Sequence, residues 1–167
     1  MHALKNELYH ELTQNILPFW LDKMVDFRHG GYLGRIDGRG NIVPDTEKGA
    51  VLNARILWAF SAAYRVLNKA EYLEAATRAK DYFIAHFIDK QHGGVFWSLD
   101  AQGQPLDTKK QTYAMGFAIY GLSEYARSTG SDEALQYAQA LYNDIENHAF
   151  DKQNNGYVEA LPLPICV

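Results

Sequence analysis

The stretch that decides the fold runs from Gly49 to Tyr64 and reads GAVLNARILWAFSAAY. It is long enough for about four helical turns and carries a single formal charge, on Arg55. A helix with almost no polar face is expected to be buried on nearly all sides. A guanidinium in such a helix needs an anionic partner, because an isolated buried charge is too costly. That partner is either a structural carboxylate or a bound ligand, and both alternatives remain open here.

A second stretch of the same kind, QTYAMGFAIYGLS, covers residues 111–123 and has no charged residue. The other predicted helices, at residues 3–25, 70–88 and 132–150, each have a charged face. The first of these carries Leu4, Leu8, Leu12 and Ile16 on one apolar stripe, and Pro18 is expected to bend or break it. Charged helices therefore alternate with nearly uncharged ones, which indicates two layers with one shielding the other from water.

Three motifs predict where helices begin and end. Asn68 with Glu71, and Thr108 with Gln111, have the spacing of capping boxes at helix starts. The pair Gly130-Ser131 is expected to end the fourth helix and to cap the fifth.

The connecting segments repeat along the chain. Residues 29–45 and 92–107 each open with His-Gly-Gly and contain further turn formers, which predicts two β-hairpin loops, and residues 151–157 begin a third copy. The match holds at an offset of 62 or 63 residues, with repeat units at about 29–88 and 92–150. Helical solenoids usually repeat every 34 to 47 residues or so. The longer unit, with its loops at one end, predicts a single all-α domain over 1–167 that is part of an α/α toroid.

The repeat also predicts geometry. At the offset of 62, Tyr113 corresponds to Val51 and Phe117 to Arg55. Because Val51 and Arg55 are four residues apart, they share a helix face. Arg55 and Tyr113 should therefore point toward one concave surface with Phe117 near Arg55, and Asn53 is assigned to the same binding set. The alternative for Tyr113 is that its hydroxyl satisfies a hydrogen bond in the core.

Composition excludes several classes of protein. A net charge of −4 gives no basic surface for nucleic acid, and no apolar run is long enough to span a membrane. Cys166 is the only cysteine, so there is no disulfide framework or cysteine metal cluster, and we expect a cytoplasmic protein without a signal peptide. His29 and His92 occupy matching turn positions where the third copy has Asn154, so we interpret them as loop structure and not as metal ligands.

Two segments carry a family resemblance. Residues 48–65, KGAVLNARILWAFSAAYR, and residues 93–127, from GGVFWSLD to GLSEYAR, resemble the N-terminal part of cellobiose 2-epimerases in the N-acylglucosamine 2-epimerase superfamily. The resemblance extends from about Leu4 to Ala160. It implies an (α/α)6 barrel, of which this chain holds about two and a half of six helix pairs. It also implies that Arg55 lies in the active site as a catalytic residue and that Tyr113 contacts the substrate.

The implied reaction interconverts sugars that are epimeric at C2, typically at the reducing end of a β-1,4 disaccharide. Removal of the C2 proton from the open-chain sugar gives an enediolate, whose charge needs preorganised donors such as the fork of Arg55. A general base, usually histidine, takes the proton, and the scheme requires no metal or cofactor. The six histidines here lie on charged helices or in turns, so we expect the bases outside this chain. The ending ALPLPICV departs from the family and is interpreted as a truncation, an altered reading frame or a designed fragment.

Other functions remain as alternatives. The resemblance also permits an N-acylglucosamine 2-epimerase or an aldose–ketose isomerase, and a non-catalytic helical carbohydrate-binding or assembly module is a third possibility. Glycosidases with the same toroid need paired carboxylates, which the charge-poor stretches lack. Because the charge-poor stretches offer no histidine or carboxylate as a base for the C2 proton, we expect the chain to be inactive alone. An incomplete toroid also leaves apolar flanks uncovered. We also expect it to associate with itself or with the missing C-terminal half of a barrel.

Overall fold

The computed structural model describes residues 2–161, which form helices joined by loops that carry short strands. The helical elements are α1 (His2–Glu11), a π-helical turn (Leu12–Ile16), α2 (Leu17–Asp22), α3 (Ala50–Leu67), α4 (Ala70–Tyr82), a second π-helical turn (Phe83–Phe87), α5 (Thr112–Thr129) and α6 (Asp132–His148). The strands are β1 (Lys48–Gly49), β2 (Ser98–Leu99), β3 (Pro105–Asp107), β4 (Lys110–Gln111), β5 (Phe150–Asp151), β6 (Gly156–Tyr157) and β7 (Ala160–Leu161). The predicted departure from the family at the end of the chain falls mainly on residues 162–167, which lie outside the described residues.

The helices form two layers, as the alternation of charge predicts. The charge-poor helices α3 and α5 pack against each other, while α4 packs against α3 and α6 against α5. The core lies between the layers, where the ring of Phe60 stacks between those of Tyr32 and Tyr72 with centroids 6.3 Å away on each side. Burial of each such side chain contributes roughly 1.5 to 3 kcal/mol. The all-α class and the partial α/α toroid are confirmed.

The first helix is interrupted, but its apolar stripe does not enter the core. Pro18 lies in the first turn of α2, directly after the π-helical turn, where its missing N–H and its ring are accommodated. Leu4 and Leu8 are 60% and 61% exposed, and Leu12 and Ile16 are exposed as well. The stripe therefore stays outside the core, because no other element within residues 2–161 packs along α1, while Leu12 and Ile16 line an open groove.

Only one of the three predicted helix-end motifs is found. Gly130 adopts the left-handed conformation with φ 77° after α5, and the Ser131 hydroxyl accepts a hydrogen bond from the Ala134 amide at 3.3 Å. The capping box at Asn68 is wrong. Asn68 instead ends α3 with φ 52°, a conformation that asparagine adopts more readily than most residues, and α4 starts after Lys69 without a side-chain cap.

The second predicted capping box, Thr108 with Gln111, is also wrong. Gln111 belongs to strand β4, which pairs antiparallel with β7, and α5 begins one residue later. The Thr112 amide donates to the Glu159 carbonyl at 2.9 Å. A hydrogen bond from a loop distant in sequence thus supplies the acceptor that a cap would offer locally.

The loops form small antiparallel sheets that tie each unit to the next. Strand β1 pairs with β2, β2 pairs with β3, β4 pairs with β7, and β5 pairs with β6. The hairpin predicted at residues 92–107 is confirmed by β2 and β3. The one predicted at residues 29–45 reduces to an isolated bridge between Ile36 and Ile42. We call the charge-poor helices α3 and α5 the inner helices, and α4 and α6 the outer helices. The strand that precedes each inner helix, β1 or β4, pairs with a strand of the next loop along the chain.

A buried ion pair recurs in the loops. Lys48 Nζ donates to Asp26 Oδ2 at 2.7 Å and to the Gly30 carbonyl at 2.7 Å, and its side chain is 1% exposed. Lys110, which is 62 residues later, donates to Asp89 Oδ2 at 2.9 Å, and its side chain is fully buried. Buried lysines need such a partner because a desolvated unpaired ammonium is very costly.

Each aspartate in these pairs also organises its turn. The other carboxylate oxygen of Asp89 accepts from the backbone amides of Gln91 and His92, both at 3.0 Å. Burial alone would raise the pKa of Asp89, but the Lys110 ammonium and these two amides outweigh it and hold the pKa at about 2. The imidazole nitrogens Nδ1 of His29 and His92 lie 3.7 and 3.4 Å from the turn carboxylates, which supports their interpretation as loop structure.

Candidate functional site

An open groove of about 1350 Å³ runs along the concave side of the inner helices α3 and α5. Its wall consists of aliphatic and aromatic side chains. The aromatic ones include Trp58 from α3, Tyr113, Phe117 and Tyr120 from α5, and Tyr157 from the third loop. Flat, partly apolar surfaces of this kind suit ligands with apolar faces and polar edges. The groove is therefore the candidate site.

Arg55 lies exposed on this groove. Its guanidinium carbon is 6.0 Å from the centroid of the Phe117 ring, within the range of a cation–π contact. Among residues 2–161, no carboxylate lies within 4 Å of this guanidinium. The expectation that the α3 stretch is buried on nearly all sides is wrong, because nothing in the described part of the chain covers its concave side. A structural carboxylate as the partner of Arg55 is likewise contradicted within those residues.

Tyr113 and Phe117 lie beside Arg55, as the repeat predicts. Their ring centroids are 5.0 Å apart in an edge-to-face arrangement. Tyr113 is 57% exposed, so it is not a core residue, and the alternative of a core hydrogen bond is contradicted. The structure therefore brings three of the four predicted site residues together on one surface.

Asn53 is the one that the structure does not bring to the groove. Its side chain is buried, and its amide nitrogen donates to the Gly49 carbonyl at 2.9 Å at the start of α3. Two positions along a helix correspond to a rotation of about 200°, so Asn53 and Arg55 point to opposite sides of α3. The described geometry gives Asn53 a structural contact, and its assignment to substrate binding stays an untested prediction.

A stacked pair of aromatic rings on the same groove was not predicted from the sequence. The rings of Trp58 and Tyr120 lie 4.8 Å apart at an interplanar angle of 10°. The two residues are 62 positions apart, so the repeat itself carried the signal. Burial first, and then the negative charge of Glu124, raise the pKa of Tyr120, while Arg55 opposes this. The phenol therefore stays protonated as a hydrogen-bond donor.

A carboxylate from the third loop was missed as well. Glu159 lies at the groove beside Tyr157, and its carbonyl accepts the hydrogen bond from the Thr112 amide. At the offset of 62, Glu159 corresponds to Trp97 of the preceding unit. The Trp97 carbonyl likewise accepts a hydrogen bond from the first residue of an inner helix, the Ala50 amide, at 3.0 Å. The repeat extends into this loop, so the offset of 62 is the signal that identifies Glu159.

Other kinds of site can be judged from the same region. Within residues 2–161 there is no group of three or more histidine, cysteine, aspartate or glutamate side chains placed to hold a metal ion. No histidine side chain described by the structure lines the groove. In this part of the chain no helix is both long and apolar enough to cross a membrane.

Comparison with known proteins gives consistent matches. The family described as N-acylglucosamine 2-epimerase (GlcNAc 2-epimerase) matches residues 31–164. A cellobiose 2-epimerase of Bacteroides fragilis is 60% identical over 158 residues, which is 95% of this chain, and one of Ruminococcus albus is 41% identical over 93% of the chain. The solved structure of cellobiose 2-epimerase from Bacillus thermoamylovorans B4167 superposes on the whole chain with a TM-score of 0.96 at 41% identity.

The matches cover only part of each relative. The chain spans 40% of the Bacteroides fragilis protein, 39% of the Ruminococcus albus protein and 43% of the solved Bacillus chain.

Proposed function

The chain belongs to the N-acylglucosamine 2-epimerase family, and we propose that it acts as the N-terminal part of a sugar C2-epimerase of the cellobiose 2-epimerase type. The observation that carries the proposal is the exposed Arg55 guanidinium, which lies on an aromatic groove with no carboxylate partner among the described residues. A cation that has no protein partner there is available to an anionic intermediate.

The proposed role of Arg55 follows from the chemistry at C2. In the open-chain sugar the C2 proton is acidic because it is adjacent to the C1 carbonyl. A base takes this proton, the electron pair of the C–H bond moves toward the carbonyl oxygen, and an enediolate forms. Return of a proton to the opposite face of C2 gives the epimer. The guanidinium of Arg55 would stabilise the oxygen charge with paired N–H donors, an interaction that strengthens as the charge develops.

The aromatic residues would hold the sugar. Tyr113 and Phe117 form an edge-to-face pair next to Arg55, and the stack of Trp58 on Tyr120 lies along the same wall. The apolar C–H faces of pyranose rings pack on such surfaces, while the Tyr113 hydroxyl can bond a sugar hydroxyl. Cellobiose, the substrate named in the closely similar relatives, is therefore the first sugar to test.

The groups that move the proton are expected outside this chain. Epimerisation needs proton transfer on two faces of C2, with each group within hydrogen-bonding reach. The groove contains no described histidine, and its carboxylate, Glu159, is exposed to solvent. The chain alone should therefore leave cellobiose unchanged when product formation is followed by NMR. If the chain alone does epimerise cellobiose, Glu159 becomes the first candidate for the base.

Association is proposed for the same reason. The stripe on α1 and the groove expose many large apolar side chains, a pattern that marks contact surfaces. Light scattering should show a species larger than the 18.9 kDa chain. A monodisperse monomer would contradict this part of the proposal.

The decisive experiment is a chimera in which this chain replaces the aligned N-terminal segment of the Bacteroides fragilis relative. The chimera should epimerise cellobiose, and Arg55→Lys should lower kcat/KM by about a hundredfold or more, because a point charge does not reproduce a bidentate fork. Arg78 provides a matched control. It also lies 6.0 Å from an aromatic ring, that of Phe27, but on the outer helix α4, so Arg78→Lys should leave activity unchanged.

The products separate the alternatives. Return of the proton to C2 yields a mannose unit at the reducing end, whereas its return to C1 yields a ketose and indicates an aldose–ketose isomerase. Turnover of N-acylglucosamine in preference to cellobiose would indicate the other epimerase of the family. A folded chimera that binds sugars without turning any of them over would support a non-catalytic module.

A further inference from the structure

Residues at equivalent positions of the inner helices α3 and α5 differ in their exposure to solvent. On α3, Ala54 and Ser61 are fully buried. The residues 62 positions later on α5, Gly116 and Ser123, are both exposed. The covered face of α3 lies against α5, so the exposed face of α5 corresponds to an interface that is occupied one unit earlier.

The occupied interface is a close helix crossing. A Cβ atom built on Gly121 of α5 would lie 2.6 Å from the Ala54 carbonyl oxygen, which shows that the two backbones approach closely at this point. The position on α5 that corresponds to Ala54 is Gly116, and a Cβ atom built there meets no atom within 4 Å. Gly116 therefore offers α5 a second place where a helix could pack closely, and no helix among the described residues lies against it.

The loops show the same difference. Asp26 and Asp89 each organise a turn and bind a buried lysine, as described above. Asp151 organises the third turn in the same way, because its Oδ1 accepts from the backbone amides of Gln153 and Asn154 at 2.9 and 3.2 Å. Within residues 2–161 it forms no ion pair, and its Oδ2, the oxygen that takes lysine in the other two turns, accepts from the Asn154 side chain at 2.7 Å.

We propose that the Gly116 face of α5 and the Asp151 turn form one docking surface, and that its occupant is a further inner helix with a lysine two residues before its first residue. The position of the lysine follows from the two occupied cases. Lys48 precedes Ala50, the first residue of α3, by two positions, and Lys110 precedes Thr112, the first residue of α5, by the same number. A helix that packs on Gly116 would carry its preceding lysine to Asp151.

A second copy of this chain does not offer such a segment. Its two lysines at the required position, Lys48 and Lys110, are already buried against their own aspartates. The six residues after Leu161, PLPICV, contain no lysine. The occupant is therefore a segment that lies outside residues 1–167. Because this inference rests on the proposed function, we identify it with the part of a longer epimerase of this family that follows the segment matched here.

The test uses the C-terminal part of the Bacteroides fragilis relative, expressed as a separate polypeptide from the point where the match to this chain ends. Its affinity for the full chain is measured by isothermal titration calorimetry. Asp151→Asn should weaken binding about tenfold or more, since it leaves a lysine without its carboxylate. Asp132→Asn makes the same charge change at the opposite end of α6 and should alter the affinity less than twofold.

Two further variants keep the result interpretable. Gly116→Leu places a side chain in open space, so the chain should keep its helical circular dichroism and its unfolding midpoint while binding falls at least about tenfold. The proposal requires a lysine two residues before the first inner helix of the partner, and the second variant changes that lysine to glutamine. Asp151→Asn should then cause no additional loss, because the two changes remove the same contact.

The outcomes separate this inference from the proposed function. Equal effects of Asp151→Asn and Asp132→Asn, or no binding of the partner polypeptide by the unaltered chain, would overturn the docking surface, even if the chimera is active. Binding that depends on Asp151, in a complex and a chimera that both fail to epimerise cellobiose, would uphold the surface and refute the function. Binding of the chain to itself that Gly116→Leu abolishes would assign the surface to a second copy and contradict our occupant.

Discussion

The turns at Asp89 and Asp151 have the same local structure and different surroundings. Both carboxylates accept hydrogen bonds from the amides two and three residues later. Only Asp89 has a buried lysine against it, and that lysine comes from the strand before the next inner helix. The conformation of the turn is therefore specified by a few neighbouring residues, whereas the ion pair depends on a lysine from the following unit. Four predictions test how far this difference extends.

The largest effect is expected from Lys110→Met. Methionine fills much of the same space but leaves Asp89 buried without its partner, which should lower the free energy of unfolding by about 3 to 5 kcal/mol. Asp151→Asn should change it by less than about 0.5 kcal/mol, because Asp151 forms no ion pair with a lysine among the described residues. Urea unfolding followed by circular dichroism measures both values. Similar losses in the two variants would show that the ion pair does not distinguish the turns.

The next largest effect concerns the helix crossings. Gly121→Ala forces a methyl group against the Ala54 carbonyl and should cost about 1 to 3 kcal/mol. Gly116→Ala meets open space and should stabilise α5 by about 0.5 to 1 kcal/mol, because alanine favours the helix over glycine. Thermal unfolding should therefore shift in opposite directions for the two variants. A loss in both would mean that α5 is already covered at Gly116.

Acidification tests the ion pair without mutation. The pKa of Asp89 is about 2 in the folded chain and close to its ordinary value of 3.8 in the unfolded chain. The resulting stabilisation, about 2 kcal/mol, is fully present above pH 4 and is lost as the pH falls toward 2. The free energy of unfolding should decline over this range, and Lys110→Met should flatten the decline. An unchanged acid profile in Lys110→Met would show that other carboxylates dominate it.

The smallest effect is expected at the two equivalent serines. The Ser61 hydroxyl is buried and has no hydrogen-bond partner within residues 2–161, so Ser61→Ala should stabilise the chain by about 1 kcal/mol. Ser123→Ala on the exposed face should gain only about 0.5 kcal/mol, from helix propensity. Chemical unfolding of both variants in parallel gives the difference. A loss of stability in Ser61→Ala would indicate a hydrogen bond to an ordered water.

The repeat explains why much of the site could be predicted. Arg55, Tyr113 and Phe117 were placed on one surface from an offset of 62 and the helical period alone, and the structure brings them together. Asn53 was predicted with them, although the helical period points its side chain to the side of α3 opposite Arg55. Glu159 was not predicted because its approach to the groove depends on the pairing of β7 with β4, which a local sequence pattern does not show. The stack of Trp58 on Tyr120 was not predicted either, although the offset of 62 relates the two residues.

The sequence by itself determined the helix classes, the repeat and the aspartate turns, because each depends on periodicity or on hydrogen bonds between near neighbours. Only the tertiary structure decided that α5 begins at Thr112, that the stripe on α1 stays outside the core and that Arg55 lies open on a groove. The reason is physical. Whether a side chain is buried or paired depends on the element that packs against it as well as on its own helix. Equivalent residues are therefore buried on α3, where α5 packs against them, and exposed on α5, where no described helix follows.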